Sequence, residues 1–196
     1  MPLITGLDLE TTGIDKKSGG AGEHRVIEVS AQFYDLTSRR KVKAYVQRID
    51  PQRAIAPDAQ RVHKIAGADL IGCPTWDVVG PKVHKILAAS SLVVAHNGLG
   101  FDRPFLKDEL ARLGLALPDT PWFDTMLEGR WASPVGAVPN LGALCWACDV
   151  PYDTEQAHGA DYDVDVMMSC FFRGLDWGFY QLPAGLLPEP MIEEAA

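Results

Sequence analysis

A chain of 196 residues, 47% of them hydrophobic, suffices for one globular domain with a sizeable core. No apolar run approaches the roughly 20 residues of a membrane span and no basic stretch leads into a signal-like segment, which predicts no membrane partner and a cytoplasmic location. The formal net charge of −8 counts against broad, non-specific affinity for nucleic acid, and the four cysteines, Cys73, Cys145, Cys148 and Cys170, are too few for a disulfide framework, which predicts free thiols.

Residues 3–11 form an apolar run closed by Thr-Thr-Gly, the pattern of a buried strand. Alternate strand residues share a face, so Asp8 and Glu10 point the same way. Like charges that close require either a shared proton or a cation between them, and a hard divalent ion is the simpler partner for carboxylate oxygens. Residues 14–24 read as a glycine-rich surface loop without the spacing of a phosphate-binding loop. Residues 25–34 alternate as a half-buried strand, with Ile27, Val29, Ala31 and Phe33 on one face and Glu28, Ser30, Gln32 and Tyr34 on the other. After a turn, residues 42–49 return as a third strand, giving an antiparallel meander. The cations Arg39, Arg40, Lys41 and Lys43 at that hairpin read as a solvated turn.

Pro57 and Asp58 open a short helix that carries Val62 and His63. Residues 75–89 have helical apolar spacing, with Thr75 as the expected cap and Pro81 as an expected distortion. Residues 92–95 form a short buried strand, followed by Asn97 and by Asp102 at the start of a helix bearing Phe105, Leu106, Leu110 and Leu113. Asp124 and Thr125 read as a helix-opening pair, and Asn140 opens a helix over 141–148. Cys145-x-x-Cys148 has no second pair at zinc-finger spacing and reads as buried structural thiols. His158 and Asp163 precede a last helix. Asp161, Asp163 and Asp165 begin like a calcium loop, but Val166 and Phe172 stand where that loop needs glycine and glutamate. Asp161 and Asp165 read instead as charges at a helix N-terminus.

Three of these motifs, taken in order, resemble one family. Asp8-Leu9-Glu10-Thr11-Thr12-Gly13 is similar to the first motif of the DnaQ-like, DEDDh 3′→5′ exonucleases, Asn97 with Phe101-Asp102 to the second, and His158-x4-Asp163 to the third, in its histidine-bearing branch. Residues 59–65 resemble the family's A-x-x-V-H-G-I segment, with Lys64 where glycine is usual, and Asp124-Thr125 resembles a further landmark. The resemblance implies an α/β, ribonuclease H-like mixed sheet with helices on its faces, spanning residues 1–182, and a flexible acidic, proline-rich tail over 183–196. It implies two Mg²⁺ or Mn²⁺ ions held by Asp8, Glu10, Asp102 and Asp163, with His158 as general base. Thr11, Thr12, His63 and Asn97 would contact the terminal nucleotide. The expected substrate is a single-stranded 3′ end of DNA or RNA, the motifs leaving open which, along with the oligomeric state. The rival reading is a nuclease-fold subunit that serves mainly as a partner-binding, polymerase-associated module.

Overall fold

The computed structural model describes residues 2–15 and 21–186. The expected loop residues Lys16, Lys17, Gly19 and Gly20, and the tail from residue 187 onward, lie outside them. Strands β1 (Leu3–Thr11), β2 (Val26–Asp35) and β3 (Lys41–Arg48) form the antiparallel meander. The chain then passes through α1 (Pro57–His63) and α2 (Trp76–Ala89) to β4 (Leu92–Ala95), which pairs parallel to β1. Helix α3 (Asp102–Ala111) crosses to β5 (Trp122–Asp124), parallel to β4, and α4 (Leu141–Ala147) and α5 (Ala160–Asp176) follow. The strand order is β3-β2-β1-β4-β5. This is the mixed α/β sheet that the motifs imply. Among the described residues no helix is long and apolar enough to cross a membrane.

The alternation of β1 divides the core in two. Leu7 and Leu9, with Val29 and Ala31 opposite them on β2, pack against Val79, Val83 and Leu87 of α2 and Phe105, Leu106 and Leu110 of α3. On the other face Ile4 and Val94 pack against Val164, Met168 and Phe171 of α5. Leu182 and Leu186 also lean on this second cluster, so contact with the core continues to Leu186.

Helix α5 accounts for the departure of β2 from expectation. Strand β2 is buried on both faces, because Glu28, Ser30, Gln32 and Tyr34 lie under or beside α5 instead of facing solvent. Gln32 Nε2 donates to the Asp161 carbonyl at 2.8 Å and to its Oδ1 at 2.7 Å. The Tyr34 hydroxyl donates to Gln32 Oε1 at 2.7 Å and to Asp165 Oδ1 at 3.1 Å, and Lys41 Nζ reaches the same oxygen at 2.5 Å. Asp161 and Asp165 therefore fasten α5 to β2 and β3 as well as lying near a helix start. Buried polar groups are tolerable when paired in this way. Two further expectations need correction. Residues 122–124 are a strand, too short to show alternation, so Asp124 ends β5 and no α-helix opens at Thr125. Thr75 occupies the cap position of α2, but its hydroxyl donates to the Asp77 carboxylate and caps no backbone N–H; α2 itself runs through Pro81.

Gly6 sets how closely α5 approaches. A Cβ there would lie 2.7 Å from Met168 Cγ and 2.8 Å from Val164 Cγ1, closer than carbon atoms pack. Gly6→Ala is expected to cost about 1–3 kcal/mol, the usual range for overpacking a filled core. Chemical denaturation of the two proteins tests this, and an unchanged midpoint would mean that α5 yields without cost.

Candidate active site

The close packing at Gly6 also places the chemistry. Asp8 and Glu10 follow Gly6 on the same face of β1, and Asp163 precedes Val164 in the first turn of α5. Asp102, the first residue of α3, comes in from the end of the β4–α3 turn. Asp102 is only 2% exposed and Asp163 only 9%, and one carboxylate oxygen of each, Oδ1 in both cases, has no hydrogen-bond partner among the described residues. The other oxygen of Asp163 accepts from the His158 N–H at 3.1 Å. His158 has φ of +64°, a left-handed conformation that histidine adopts more readily than most residues, and its ring is exposed.

Burial disturbs all four carboxyls, and neighbouring acids disturb three of them further. Loss of solvent, then the charges of Asp163 and Glu28, raises Asp8 well above the ordinary carboxylate range. Burial, followed by Asp8, Asp163, Glu28 and Asp102, pushes Glu10 up to about 10. Asp102 is raised by burial and then by Asp8, and Asp163 by burial, against a lowering pull from His158. Glu28 is a fifth carboxylate that the motifs do not mark. It faces Glu10 across the β1–β2 pair, is 7% exposed, and receives Arg48 Nε at 2.9 Å. Its only sequence signal is its place on the polar face of β2.

Asp124 fixes the turn that delivers Asp102. Its two oxygens accept from the backbone N–H groups of Asn97, Leu99, Met126 and Leu127 at 3.0–3.2 Å. Asn97 adopts φ of +65° in that turn, and its carbonyl accepts from Gly100 and Phe101. Beside the carboxylates a cavity of about 340 Å³ opens from Glu10, lined also by Thr11, His24, Val62, His63 and Phe101. His63 is buried, with Nδ1 accepting from Ile65 N–H at 3.0 Å and Nε2 unpartnered among the described residues. Lys64 takes the left-handed φ of +60° that the family's glycine would take, so the end of α1 keeps its turn. The structure thus brings Thr11 and His63 to the cavity wall. It does not bring Thr12, which is wholly buried and accepts from Arg25 N–H at 3.0 Å, or Asn97, which builds the turn.

The exonuclease family of the RNase T type matches residues 5–171, a span that holds all four carboxylates and His158. The chain belongs to the exonuclease family. It is a DnaQ-like 3′→5′ exonuclease, as its motifs imply. DNA polymerase III subunit epsilon of Rickettsia felis is 32% identical over 171 residues, covering 84% of this chain and 70% of that protein. The same subunit from Escherichia coli K12 is 28% identical over 170 residues, covering 84% and 68%. Among solved structures, E. coli exonuclease I in complex with a dT13 oligonucleotide superposes with a TM-score of 0.74 at 14% identity, over 91% of this chain and 43% of that one. Exonuclease X in complex with 5′-overhanging duplex DNA superposes at 0.67 and 22%, over 91% and 94%. At such identities the structural matches speak for the ribonuclease H-like fold. All four cysteines are free, and Cys145 and Cys170 are in contact at 3.6 Å between sulfurs in the core beneath α4.

Among the described residues no three His, Cys, Asp or Glu side chains already form a metal cage. The donors of the exonuclease site nonetheless suit a hard divalent cation: they are oxygen atoms, two of them orphaned, on carboxyls that resist ionisation beside one another. A carboxyl raised in the folded state binds more protons there than when unfolded, so its contribution to stability is present below the unfolded value and is lost as pH rises through the folded one. For Glu10 that window runs from 4.5 to about 10. In chelator, the melting temperature is expected to fall as pH rises across this window, and Mg²⁺ or Mn²⁺ should reverse the loss. A chelated protein whose melting temperature holds steady or climbs with pH would contradict the charge crowding.

Proposed function

We propose that Asp8, Glu10, Asp102 and Asp163 hold two Mg²⁺ or Mn²⁺ ions and that the protein uses them to remove nucleotides from single-stranded 3′ ends of DNA or RNA. The observation that carries this reading is the convergence of four carboxyls, all raised by burial and three of them, Asp8, Glu10 and Asp102, also by neighbouring acids, with two oxygens left unpartnered among the described residues. A zinc-ion-bound form of the E. coli exonuclease I complex with single-stranded DNA, of the same fold, supports the use of a divalent cation. The bound ions would supply Lewis-acid activation of the attacking water and charge neutralisation at the leaving 3′ oxygen.

The chain's own groups do the rest. Glu10 and Asp8 are fixed by a strand and Asp102 and Asp163 by the first turns of two helices, so the set is held by rigid elements. His158 would take the proton of the attacking water on its ring, and its N–H bond to Asp163 Oδ2 keeps the residue at the rim of the site. Thr11 and His63 would contact the terminal nucleotide from the cavity wall, whereas Thr12 and Asn97 would act by holding the loops that shape it.

The relatives named as DNA polymerase III epsilon subunits support a polymerase or other replication partner, and the free thiols fit a cytoplasmic setting. A role confined to partner binding is less well supported, because it gives no reason to crowd charges that repel phosphate. We assign residues 1–182 to the exonuclease domain and 183–196 to a tail whose first residues, as far as Leu186, still lean on the core.

Digestion of 5′-labelled single-stranded DNA and RNA, with Mg²⁺ or Mn²⁺, tests the whole reading. A stepwise ladder shortening from the 3′ end is expected, and unimpaired cleavage of circular single strands would contradict it. Asp8→Ala and Asp102→Ala should abolish hydrolysis while leaving the chelated protein as stable or more so, since each removes a source of repulsion. His158→Ala should lower the rate by roughly 10²–10⁴-fold with metal affinity little changed, as expected of a general base. Loss of metal binding in His158→Ala as severe as in Asp8→Ala would make the histidine a ligand instead.

A further inference from the structure

The segment just before β2 is tied to α3 as well as to the sheet. Ala21 N–H donates to Asp108 Oδ2 at 3.0 Å, and Arg112 donates to the carbonyls of Gly22 and His24. Arg112 and Arg25 both pair with Glu109, whose side chain is 1% exposed. Arg25 N–H meets the buried Thr12 hydroxyl at 3.0 Å, and His24 N–H closes a turn onto the Ala21 carbonyl at 2.7 Å. These bonds flank one side chain, that of His24.

The His24 ring stands where a side chain at position 13 would have to be. A Cβ on Gly13 would lie 2.5 Å from His24 Cε1, and Gly13 has φ of +147°, which side-chain-bearing residues rarely adopt. The glycine that ends the first motif therefore both makes the turn and admits the ring. Nδ1 of His24 is 3.3 Å from Thr12 Oγ1, and the ring forms part of the wall of the cavity beside Glu10, together with Ile14, Val62 and Phe101. Burial, then the charge of Arg53, holds His24 below the ordinary imidazole range, which favours the neutral ring. A flat neutral ring among apolar side chains suits the face of a nucleobase, where a phosphate would call for a cation.

We propose that His24 is a substrate-binding residue, its ring packing on the base of the 3′-terminal nucleotide in this cavity. The proposal rests on the exonuclease reading above and extends it to a residue outside the three motifs. The volume of about 340 Å³ lies within the range of small-ligand pockets.

Binding tests it without relying on turnover. Two 5′-fluorescent single-stranded DNA oligonucleotides, one with an ordinary 3′-terminal nucleotide and one whose last residue is abasic, are titrated by anisotropy with Ca²⁺ as the cation. Against the ordinary strand His24→Ala should weaken binding by roughly fivefold or more, the lower end of what stacking on one base contributes. Against the abasic strand it should change nothing, and His24→Phe should restore the affinity for the ordinary strand. An equal loss on both strands would make His24 a structural residue, and no loss on either would remove it from the site; both outcomes overturn the proposal. Turnover by the unmodified protein in Mg²⁺ or Mn²⁺ is measured separately. Its absence beside a base-dependent loss would strike the catalytic reading and leave His24 in place.

Discussion

The contact between α5 and β1 at Gly6 governs the rest of the molecule. Because no side chain intervenes, Val164 and Met168 seat directly on the strand, and Asp163 arrives beside Asp8 and Glu10. The same approach closes the second face of β2, while Asp8 and Glu10 on β1 stay partly exposed, Glu10 in the wall of the cavity. Hydrophobic packing thus forces together charges that would separate in water. Burial is the largest cause of the raised values of all four carboxyls, with mutual repulsion adding to it for Asp8, Glu10 and Asp102.

A fold that crowds acids needs compensation elsewhere, and it is visible in the bonds around the site. Gln32, Tyr34 and Lys41 bind Asp161 and Asp165, which stand two residues before and two residues after Asp163, and so fasten α5 to the sheet on either side of it. Asp124 gathers four backbone N–H groups and so fixes the turn that leads to Asp102. Arg48 faces Glu28, the acid nearest the sheet edge. None of these partners reaches the orphaned oxygens of Asp102 and Asp163, which leaves a divalent cation as the fitting counter-charge.

Much of this was legible in the residue pattern. The acidic strand, the meander, the short strand at 92–95 and the last helix all carry apolar periodicity long enough to specify an element and a face. Asp8 and Glu10 stand out because alternate residues of a strand share a face, whereas Asp102, His158 and Asp163 stand out through the resemblance of their spacing to the family's second and third motifs. Strand β5 escaped because three residues hold no period. The second buried face of β2 escaped because Glu28, Gln32 and Tyr34 read as solvent-facing until α5 supplies their partners. Thr12 and Asn97 sit within motifs yet serve the backbone of their loops, while His24 lies in a glycine-rich stretch without pattern and reaches the cavity only through long-range bonds to α3.

The central claim is that packing has driven these carboxyls to hold protons that a divalent cation must displace. Calorimetric titration of Mn²⁺ near neutral pH, repeated in buffers of different ionisation enthalpy, counts those protons directly. Protons should be released on binding near pH 7, in numbers that fall as pH is raised toward the value of about 10 for Glu10. Tight Mn²⁺ binding with a buffer-independent enthalpy, and hence no proton release, would show that the carboxyls are already ionised and contradict the account.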